Sequence, residues 1–211
     1  MIFKQLRIGG DRNFAYLIGD SKSGKAAIID PGVNPELILE SARERKLEIT
    51  HIINTHGHHD HVGANPDVKT GTGALMYSAN SQIADVVVSD GEVLQVGQLE
   101  LKVIATPGHT QDSICILAGN KLCTGDTLFV GKVGGTGFGQ DARDEYYSLH
   151  EKILKLPDET EVYPGHDYGV KPTSTVGHEK ATNPFLIQPD FDAFVYLKKN
   201  WKAYIQKHGI K

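Results

Sequence analysis

Cysteine and tryptophan are scarce in this sequence, with two and one respectively, and no apolar run is long enough to cross a membrane. Two cysteines provide no disulfide framework, so we expect Cys115 and Cys123 to be reduced thiols in a cytoplasmic protein. They flank a turn at residues 118–121, and strand pairing across that turn would place Cys123 opposite Ile116. The two sulfurs should therefore lie on opposite faces of a sheet.

The sequence also lacks an excess of basic residues. It has 22 Lys and Arg against 26 Asp and Glu, which gives a formal net charge of −4. A general nucleic-acid binder needs a basic face, so we expect neither a nucleic-acid partner nor a membrane partner. Residues 1–6 lack the basic start and the continuous apolar segment of a secretory signal, which again favours a cytoplasmic protein.

The 211 residues, 39% of them hydrophobic, are enough for one sizeable core, and we expect a single domain over residues 1–211. Short runs of β-forming residues between glycine-rich turns predict strands at 2–8, 13–18, 25–30, 49–54, 74–77, 92–96, 99–105, 113–117, 122–124 and 161–163. Helices are predicted after an Asn34 cap, over 141–156, and at the C-terminal end over about 190–208. Strands in two groups with intervening helices predict two sheets packed face to face, with the helices outside.

The segment at residues 55–61 has the sequence THGHHDH and is the most informative part of the chain. It places the imidazoles of His56, His58 and His61 and the carboxylate of Asp60 within six residues. The segment directly follows a predicted buried strand, and a rigid strand can position the ligands in the loop at its end. This pattern predicts metal-assisted chemistry.

Three later segments each place one further ligand just past a predicted strand and beside a glycine. These ligands are His109, Asp126 and His166. Glycine lets the backbone turn sharply and approach closely at such positions. Together the four strand ends would supply seven ligands to one cleft at the edge of the sheets.

The ordered motifs THGHHDH, PGHT, GDTLF and PGHDYG resemble the metallo-β-lactamase superfamily, and most closely its glyoxalase II and persulfide dioxygenase branches. The resemblance runs from about residue 14 to 185 and implies an α+β fold, the αβ/βα sandwich of two mixed β-sheets flanked by helices. It also implies two ligand sets, the first formed by His56, His58 and His109 and the second by Asp60, His61 and His166. Asp126 matches the carboxylate that bridges the two metals in this family.

The leading hypothesis is a metal-dependent thioester hydrolase that resembles hydroxyacylglutathione hydrolase. Two divalent ions, either zinc or alternatively iron or manganese, would lower the pKa of a bridging water so that metal-bound hydroxide acts as the nucleophile. Asp60 would be catalytic by orienting this hydroxide in addition to binding metal. The partner would be a small-molecule thioester or thiol in contact with Tyr168 and Lys132. A homodimer is one alternative for the oligomeric state.

The alternative hypothesis is a persulfide dioxygenase acting on glutathione persulfide or a related thiol, with one Fe(II) held by His56, His109 and Asp126. The sequence after His166 looks more like this branch. Both branches commonly carry a Gly-Cys-Gly-Arg or Gly-Cys-Gly-Lys stretch after the GDTLF motif, whereas residues 131–139 here read GKVGGTGFG. A third hypothesis, a non-catalytic metal-binding protein, is disfavoured because the ligand set is complete.

The other histidines and one aspartate receive different assignments. We expect His59 to be exposed or to support the ligands, and Asp30, at the end of a strand, to support the metal loop without binding metal. The remaining histidines are assigned to the surface or the core: His51, His150, His178 and His208.

Overall fold

The structure is a computed structural model that describes residues 1–209, and it contains two six-stranded mixed sheets. In the first sheet the six strands lie in sequence order. The first three pair antiparallel and the rest parallel. These strands are β1 Ile2–Gly9, β2 Asn13–Gly19, β3 Lys25–Ile29, β4 Glu48–Ile53, β5 Leu75–Ser78 and β6 Val86–Val87.

The second sheet begins as an antiparallel meander, continues with a parallel pairing that brings in a strand from late in the chain, and ends with an antiparallel edge strand. Its strands are β7 Val93–Val96, β8 Leu99–Ala105, β9 Ile114–Ala118, β10 Lys121–Gly125, β13 Glu161–Pro164 and β14 Ser174–Thr175. Their spatial order is β14-β13-β10-β9-β8-β7. A small separate hairpin is formed by β11 Leu128–Phe129 and β12 Lys132–Val133.

Helices lie on both outer faces of this pair of sheets. They are α1 Pro35–Glu44, α2 His59–Val62, α3 Asn65–Thr72, α4 Gln140–Tyr147, α5 Val176–Thr182, α6 Phe191–Lys199 and α7 Trp201–His208. Helices α1 and α3 pack on the first sheet, and α4, α5 and α6 pack on the second. Within residues 1–209 no helix has the length and apolarity that a bilayer span requires.

Alternating side chains of the buried strands pack in three separate hydrophobic cores. In β2, Phe14 and Tyr16 point into the core between the sheets, whereas Ala15 and Leu17 point into the core beneath α1 and α3. A strand covered on both faces needs apolar residues at every position, and all seven residues of β2 are buried. The predicted αβ/βα sandwich is therefore confirmed.

The two cysteines lie as their register predicts. Cys123 pairs with Ile116 and belongs to the core between the sheets, while Cys115 belongs to the core beneath the helices. Both thiols are free and buried, and burial raises the pKa of Cys115 to about 11. Such thiols stay protonated at neutral pH and are poor nucleophiles.

The helical predictions need correction in three places. The predicted C-terminal helix over about 190–208 is two helices, α6 and α7, separated at Asn200. The predicted helix over 141–156 changes after α4 into a π-helical turn and then a 3-10 turn. The short helices α2, α3 and α5 were not predicted. The Asn34 cap is confirmed, since its side chain accepts a hydrogen bond from the Leu37 amide at 3.1 Å.

Candidate metal centre

The predicted ligands converge at the end of the sandwich where β4, β8, β10 and β13 terminate. The first set brings three imidazoles together, with His56 Nε2 3.0 Å from His58 Nδ1, which in turn lies 3.1 Å from His109 Nε2. Because β4 belongs to the first sheet and β8 to the second, this set joins the two sheets.

The second set lies beside the first. His61 Nε2 lies 3.2 Å from His166 Nε2. The Asp60 Oδ2 atom lies 3.4 Å from His166 Nε2 and 3.6 Å from His61 Nε2. Both imidazoles are buried, while 39% of the Asp60 side chain is exposed.

The Asp126 carboxylate lies between the two sets. Its Oδ1 atom is 3.4 Å from His61 Nε2, and its Oδ2 atom is 3.6 Å from His109 Nε2 and 3.4 Å from His166 Nε2. Asp126 Oδ1 is buried, and among residues 1–209 it has no hydrogen-bond partner. A buried carboxylate oxygen without a donor is costly unless a cation neutralises it.

These distances fit divalent cations. Ligand atoms about 2.1 Å from a tetrahedral zinc ion are separated by about 3.4 Å, close to the separations observed here. Each of three groupings keeps its ligand atoms within 4.8 Å of one another: His56 with His58 and His109, His56 with His61 and Asp126, and Asp60 with His61 and His166. Imidazole and carboxylate donors suit zinc, iron and manganese.

Hydrogen bonds to the outer ring nitrogens orient most of the imidazoles. In four histidines the Nδ1 atom is bonded outward, which directs the lone pair of Nε2 towards the centre. The partners are Thr55 Oγ1 for His56 at 3.1 Å, Asp30 Oδ2 for His61 at 2.9 Å, the Gly135 carbonyl for His109 at 2.7 Å and the Asp11 carbonyl for His166 at 2.8 Å. His58 is the exception, since it presents Nδ1.

Asp30 supports the ligand loop, as the sequence predicts. Its backbone has a φ of 49°, and its carboxylate accepts hydrogen bonds from the Thr55 amide at 2.8 Å and the Thr55 hydroxyl at 2.6 Å, in addition to the His61 contact. Gly125 allows this arrangement, since a Cβ there would lie 2.4 Å from Thr55 Oγ1. The end of β3 therefore fixes the loop that follows β4.

The protonation equilibria of the centre favour ionised carboxylates. Burial lowers the pKa of His56 to about 2, so its imidazole stays neutral. Burial also lowers the pKa of His61, but the charge of Asp30 and then that of Asp126 outweigh it and raise this pKa to about 9. Burial alone would raise the pKa of Asp126, yet His166 and His61 hold it far below its usual range. The same negative charges would attract a cation.

Asn13 is a residue of the site that the sequence did not reveal. It is almost completely buried, and its Nδ2 atom donates to Asp60 Oδ2 at 2.9 Å. This bond, with the charge of His61, outweighs the effect of burial and lowers the pKa of Asp60. A polar residue at the start of an otherwise apolar buried strand was the only available signal.

A cavity of about 360 Å³ opens beside the ligands. His109 and Asp126 form part of its lining, together with the predicted substrate contacts Lys132 and Tyr168. The Tyr168 ring stacks on His166 with 4.6 Å between centroids. Trp201 of α7 also lines this cavity.

The remaining histidines lie away from the ligand atoms. His59 is exposed despite its place within the motif, and His178 and His208 are exposed as well. His51 stacks on Tyr77, and His150 packs against Tyr146. These positions agree with the assignments made from the sequence.

Comparison with known proteins defines the class to which the fold and site belong. Residues 8–79 and 70–166 match the Metallo-beta-lactamase superfamily, and the chain belongs to this family, whose members bind divalent metals through clusters of histidine and aspartate. The predicted family is therefore confirmed.

Relatives with different activities are similar to this chain. It is 42% identical over 166 residues to a hydroxyacylglutathione hydrolase of Polaromonas sp., an alignment covering 74% of this chain and 63% of that protein. It is 34% identical over 186 residues to the human mitochondrial persulfide dioxygenase ETHE1, covering 82% of this chain and 71% of that one. The crystal structure of ETHE1 from Myxococcus xanthus superposes with a TM-score of 0.89 at 38% identity, covering 95% of this chain and 91% of that chain. The chain thus spans less than two thirds of the Polaromonas protein.

Proposed function

We propose that this protein is a binuclear metal-dependent hydrolase that cleaves a thioester. The position of Asp126 between two ligand sets carries this proposal. One of its oxygens lies 3.4 Å from His61 Nε2 and the other 3.6 Å from His109 Nε2. A carboxylate placed in this way can serve two ions at once, and neither set lacks a member.

In this proposal His56, His58 and His109 would hold one ion and Asp60, His61 and His166 the other, and Asp126 lies next to both sets. Bound divalent ions supply Lewis acidity and a water of lowered pKa. Asp60 then has a second role, because it is partly exposed and Asn13 fixes its Oδ2 atom at 2.9 Å. Its lowered pKa keeps it ionised, so it can accept a hydrogen bond from the attacking water and orient it.

The cavity provides the place for the substrate. Tyr168 stacks on His166, and Lys132 Nζ lies 4.3 Å from the centre of the Tyr168 ring. A thioester bound here would have its carbonyl near Asp126 and its thiol portion along Tyr168 and Lys132. A thiolate is a good leaving group because the pKa of the corresponding thiol is only about 8.5. The residues of the site therefore need not include a strong general acid.

The test is the hydrolysis of S-lactoylglutathione by protein loaded with zinc, iron or manganese. The reaction is monitored through the loss of the thioester absorbance. We expect turnover that requires two ions per chain, counted by plasma mass spectrometry on the same sample. Protein that holds two ions per chain and leaves the thioester intact would exclude this substrate.

A second candidate is a persulfide dioxygenase, and the extent of the similarity to the Myxococcus ETHE1 structure favours it. This reaction would use a single iron held by His56, His109 and Asp126, which is a two-histidine, one-carboxylate set. Oxygen uptake with glutathione persulfide and one iron per chain would support this candidate. Iron-loaded protein that consumes no oxygen with this substrate would exclude it.

A further inference from the structure

A buried ion pair joins helices α4 and α6 beside the candidate metal centre. Glu145 of α4 contacts Lys198 of α6, and only 1% and 6% of the two side chains are exposed. Lys198 also forms part of the wall of the cavity lined by His109 and Asp126. Taking two charges out of water is costly, so a buried ion pair often stabilises a fold no better than apolar residues of similar size. The place of this pair beside the ligands points to a role in the site.

Lys198 holds a backbone segment through a second contact. Its Nζ atom donates a hydrogen bond to the Gly134 carbonyl at 2.8 Å while it also contacts the Glu145 carboxylate. Gly134 directly follows β12 and is buried. A buried carbonyl that loses its donor is unfavourable, so this bond favours one position of the segment at residues 134–135.

The segment that Lys198 holds lies against two candidate ligands. The next carbonyl along the chain, that of Gly135, accepts the hydrogen bond from His109 Nδ1 at 2.7 Å. A Cβ built on Gly134 would lie 3.1 Å from the His109 Cβ and 2.1 Å from the Asp126 carbonyl oxygen. A displacement of this segment would therefore move the acceptor that orients His109.

Glu145 lies against the loop that carries His109. A Cβ built on Gly108 would lie 2.3 Å from the Glu145 Cβ, so α4 packs directly on the backbone that precedes His109. The Glu145 Oε2 atom contacts Lys198, whereas Oε1 is buried and has no hydrogen-bond partner among residues 1–209. The carboxylate thus serves to hold the Lys198 ammonium group close to the ligand loop.

We propose that Lys198 is a positioning residue for metal binding, which fixes the backbone that carries the acceptor of His109 and is itself held by Glu145. The acceptor of His109 Nδ1 directs Nε2 towards the centre, so a displaced acceptor would weaken the first ligand set. The proposal rests on the metal binding in the function proposed above and not on the reaction, because His109 belongs to the ligand sets of both candidate reactions.

A double substitution removes the pair without leaving a buried charge. Glu145→Leu with Lys198→Met replaces both side chains by apolar ones of similar size, so the metal-free protein should melt at or above the wild-type temperature. Zinc affinity should nevertheless fall by about tenfold, the lower end of the effect of losing a contact that supports a metal ligand. Competition with a fluorescent chelator measures the affinity, and calorimetry in chelator measures the melting temperature. A double variant with wild-type zinc affinity would overturn the proposal.

Two further variants separate positioning from stability. Glu145→Gln keeps Lys198 and its bond to the loop carbonyl, so this protein should bind zinc within a few-fold of wild type although it is less stable. Lys152→Met is the matched control and should leave zinc affinity near that of wild type. Lys152 also joins a carboxylate to a carbonyl, those of Asp90 at 2.9 Å and Ala105 at 2.7 Å, but lies outside the cavity beside the ligands. Zinc affinity that follows stability across these variants, and not the removal of Lys198, would refute the role.

The orientation of His109 can be followed directly by nuclear magnetic resonance. In zinc-loaded protein with isotope-labelled histidine, the Nδ1–H protons of His109 and His61 should both be protected from exchange, by the Gly135 carbonyl and the Asp30 carboxylate. The double variant should shift or lose the His109 signal and retain the His61 signal, which is an internal reference. An unchanged His109 signal would show that the pair does not position this ligand.

Zinc binding and thioester hydrolysis together separate this proposal from the proposed reaction. If no thioester is cleaved but the double variant binds zinc about tenfold more weakly than wild type, the positioning role stands and the hydrolase proposal fails. If thioesters are cleaved and both proteins bind zinc equally, the hydrolase stands and the positioning role fails. Wild-type protein that binds no zinc would overturn both.

Discussion

Asp30 Oδ2 and His61 Nδ1 lie 2.9 Å apart in the interior, with 3% and 1% of their side chains exposed. The contact joins the end of β3 to a candidate ligand 31 residues later. It favours the tautomer in which His61 Nε2 faces the other candidate ligands, so Asp30 can orient this candidate ligand without itself binding a metal.

Asp30→Asn should therefore weaken metal binding. The amide cannot hold His61 Nδ1–H and both Thr55 donors as the carboxylate does, so His61 loses its fixed orientation. Loss of such a supporting contact typically costs about 10- to 100-fold in metal affinity. Competition with a fluorescent chelator measures this change.

Asp20→Asn is a suitable control for Asp30→Asn. Asp20 is also buried and accepts several hydrogen bonds, from Ser23 and from the amides of Lys22 and Gln98. It follows the last residue of β2, whereas Asn13, which contacts the centre, is the first residue of that strand. It should lower the melting temperature and leave metal affinity near that of wild type. Equal metal affinities for the two variants would contradict the role given to Asp30.

Gly165→Ala should disrupt the centre although its backbone is ordinary. A Cβ at this position would lie 2.5 Å from Asp126 Oδ1 and 2.9 Å from His61 Cε1, both shorter than van der Waals contact. Either ligand must move, so we expect the second ion to be lost and hydrolysis to fall by at least about 100-fold, as a misplacement of about 1 Å can cause. Metal content and kcat on one sample measure both effects.

Gly135→Ala is the comparison for Gly165→Ala. No atom lies within 4 Å of a Cβ built on Gly135, although this residue also adjoins the centre through its carbonyl bond to His109. This variant should keep both ions. If Gly165→Ala also keeps both ions with full activity, the close packing around Asp126 is not needed for metal binding.

The candidate ligands could be predicted because residue type and position along the chain are enough to identify metal-binding side chains. His109, Asp126 and His166 each follow an apolar strand and adjoin a glycine, and strands that end at one edge of a sandwich bring such residues together. The apolar runs likewise gave the main strands, since buried strands need apolar residues at every position.

Asn13 could not be predicted because its role depends on tertiary pairing. It forms an isolated antiparallel bridge with His166, more than 150 residues later in the chain. No local pattern records such a contact. Locally, residues 9–11 indicated only a turn.

The division of the C-terminal helix escaped prediction for a different reason. Apolar residues continue at helical spacing on both sides of Asn200, so periodicity gives no sign of the break. Asn200, with a φ of −107° and a ψ of 16°, is both the C-terminal cap of α6 and the N-terminal cap of α7. Lys198 and Trp201, on either side of this break, both line the cavity.

The buried pair of Glu145 and Lys198 should make stability depend on pH. Burial raises the pKa of Glu145 to about 7 despite the charge of Lys198, so the folded protein keeps this proton to higher pH than the unfolded chain does. The free energy of unfolding should therefore fall, by an amount on the order of 2–3 kcal/mol, as pH rises from about 5 to about 8. Urea denaturation in chelator at several pH values measures this slope.

Variants of this pair identify the titrating group. Glu145→Gln removes the titration and should flatten the slope, although the unpaired Lys198 lowers stability overall. Lys198→Met leaves a buried carboxylate without its cation and should cost about 3–5 kcal/mol where Glu145 is ionised, and less at low pH. The double variant should recover part of the loss. A Glu145→Gln protein with the wild-type slope would assign the pH dependence to other groups.

Asp60→Asn separates the two candidate reactions. Asp60 belongs to the second ligand set, whereas the iron set of His56, His109 and Asp126 does not include it. If the protein is a binuclear hydrolase, this variant should lose the second ion and the orientation of the attacking water, and thioester hydrolysis should fall by about 100- to 10,000-fold. If it is a mononuclear dioxygenase, oxygen uptake should stay within a few-fold of wild type.

His59→Ala, which changes the exposed neighbouring residue, is the control and should leave metal content unaltered. Full thioester hydrolysis by an Asp60→Asn protein would remove Asp60 from the catalytic role proposed for it.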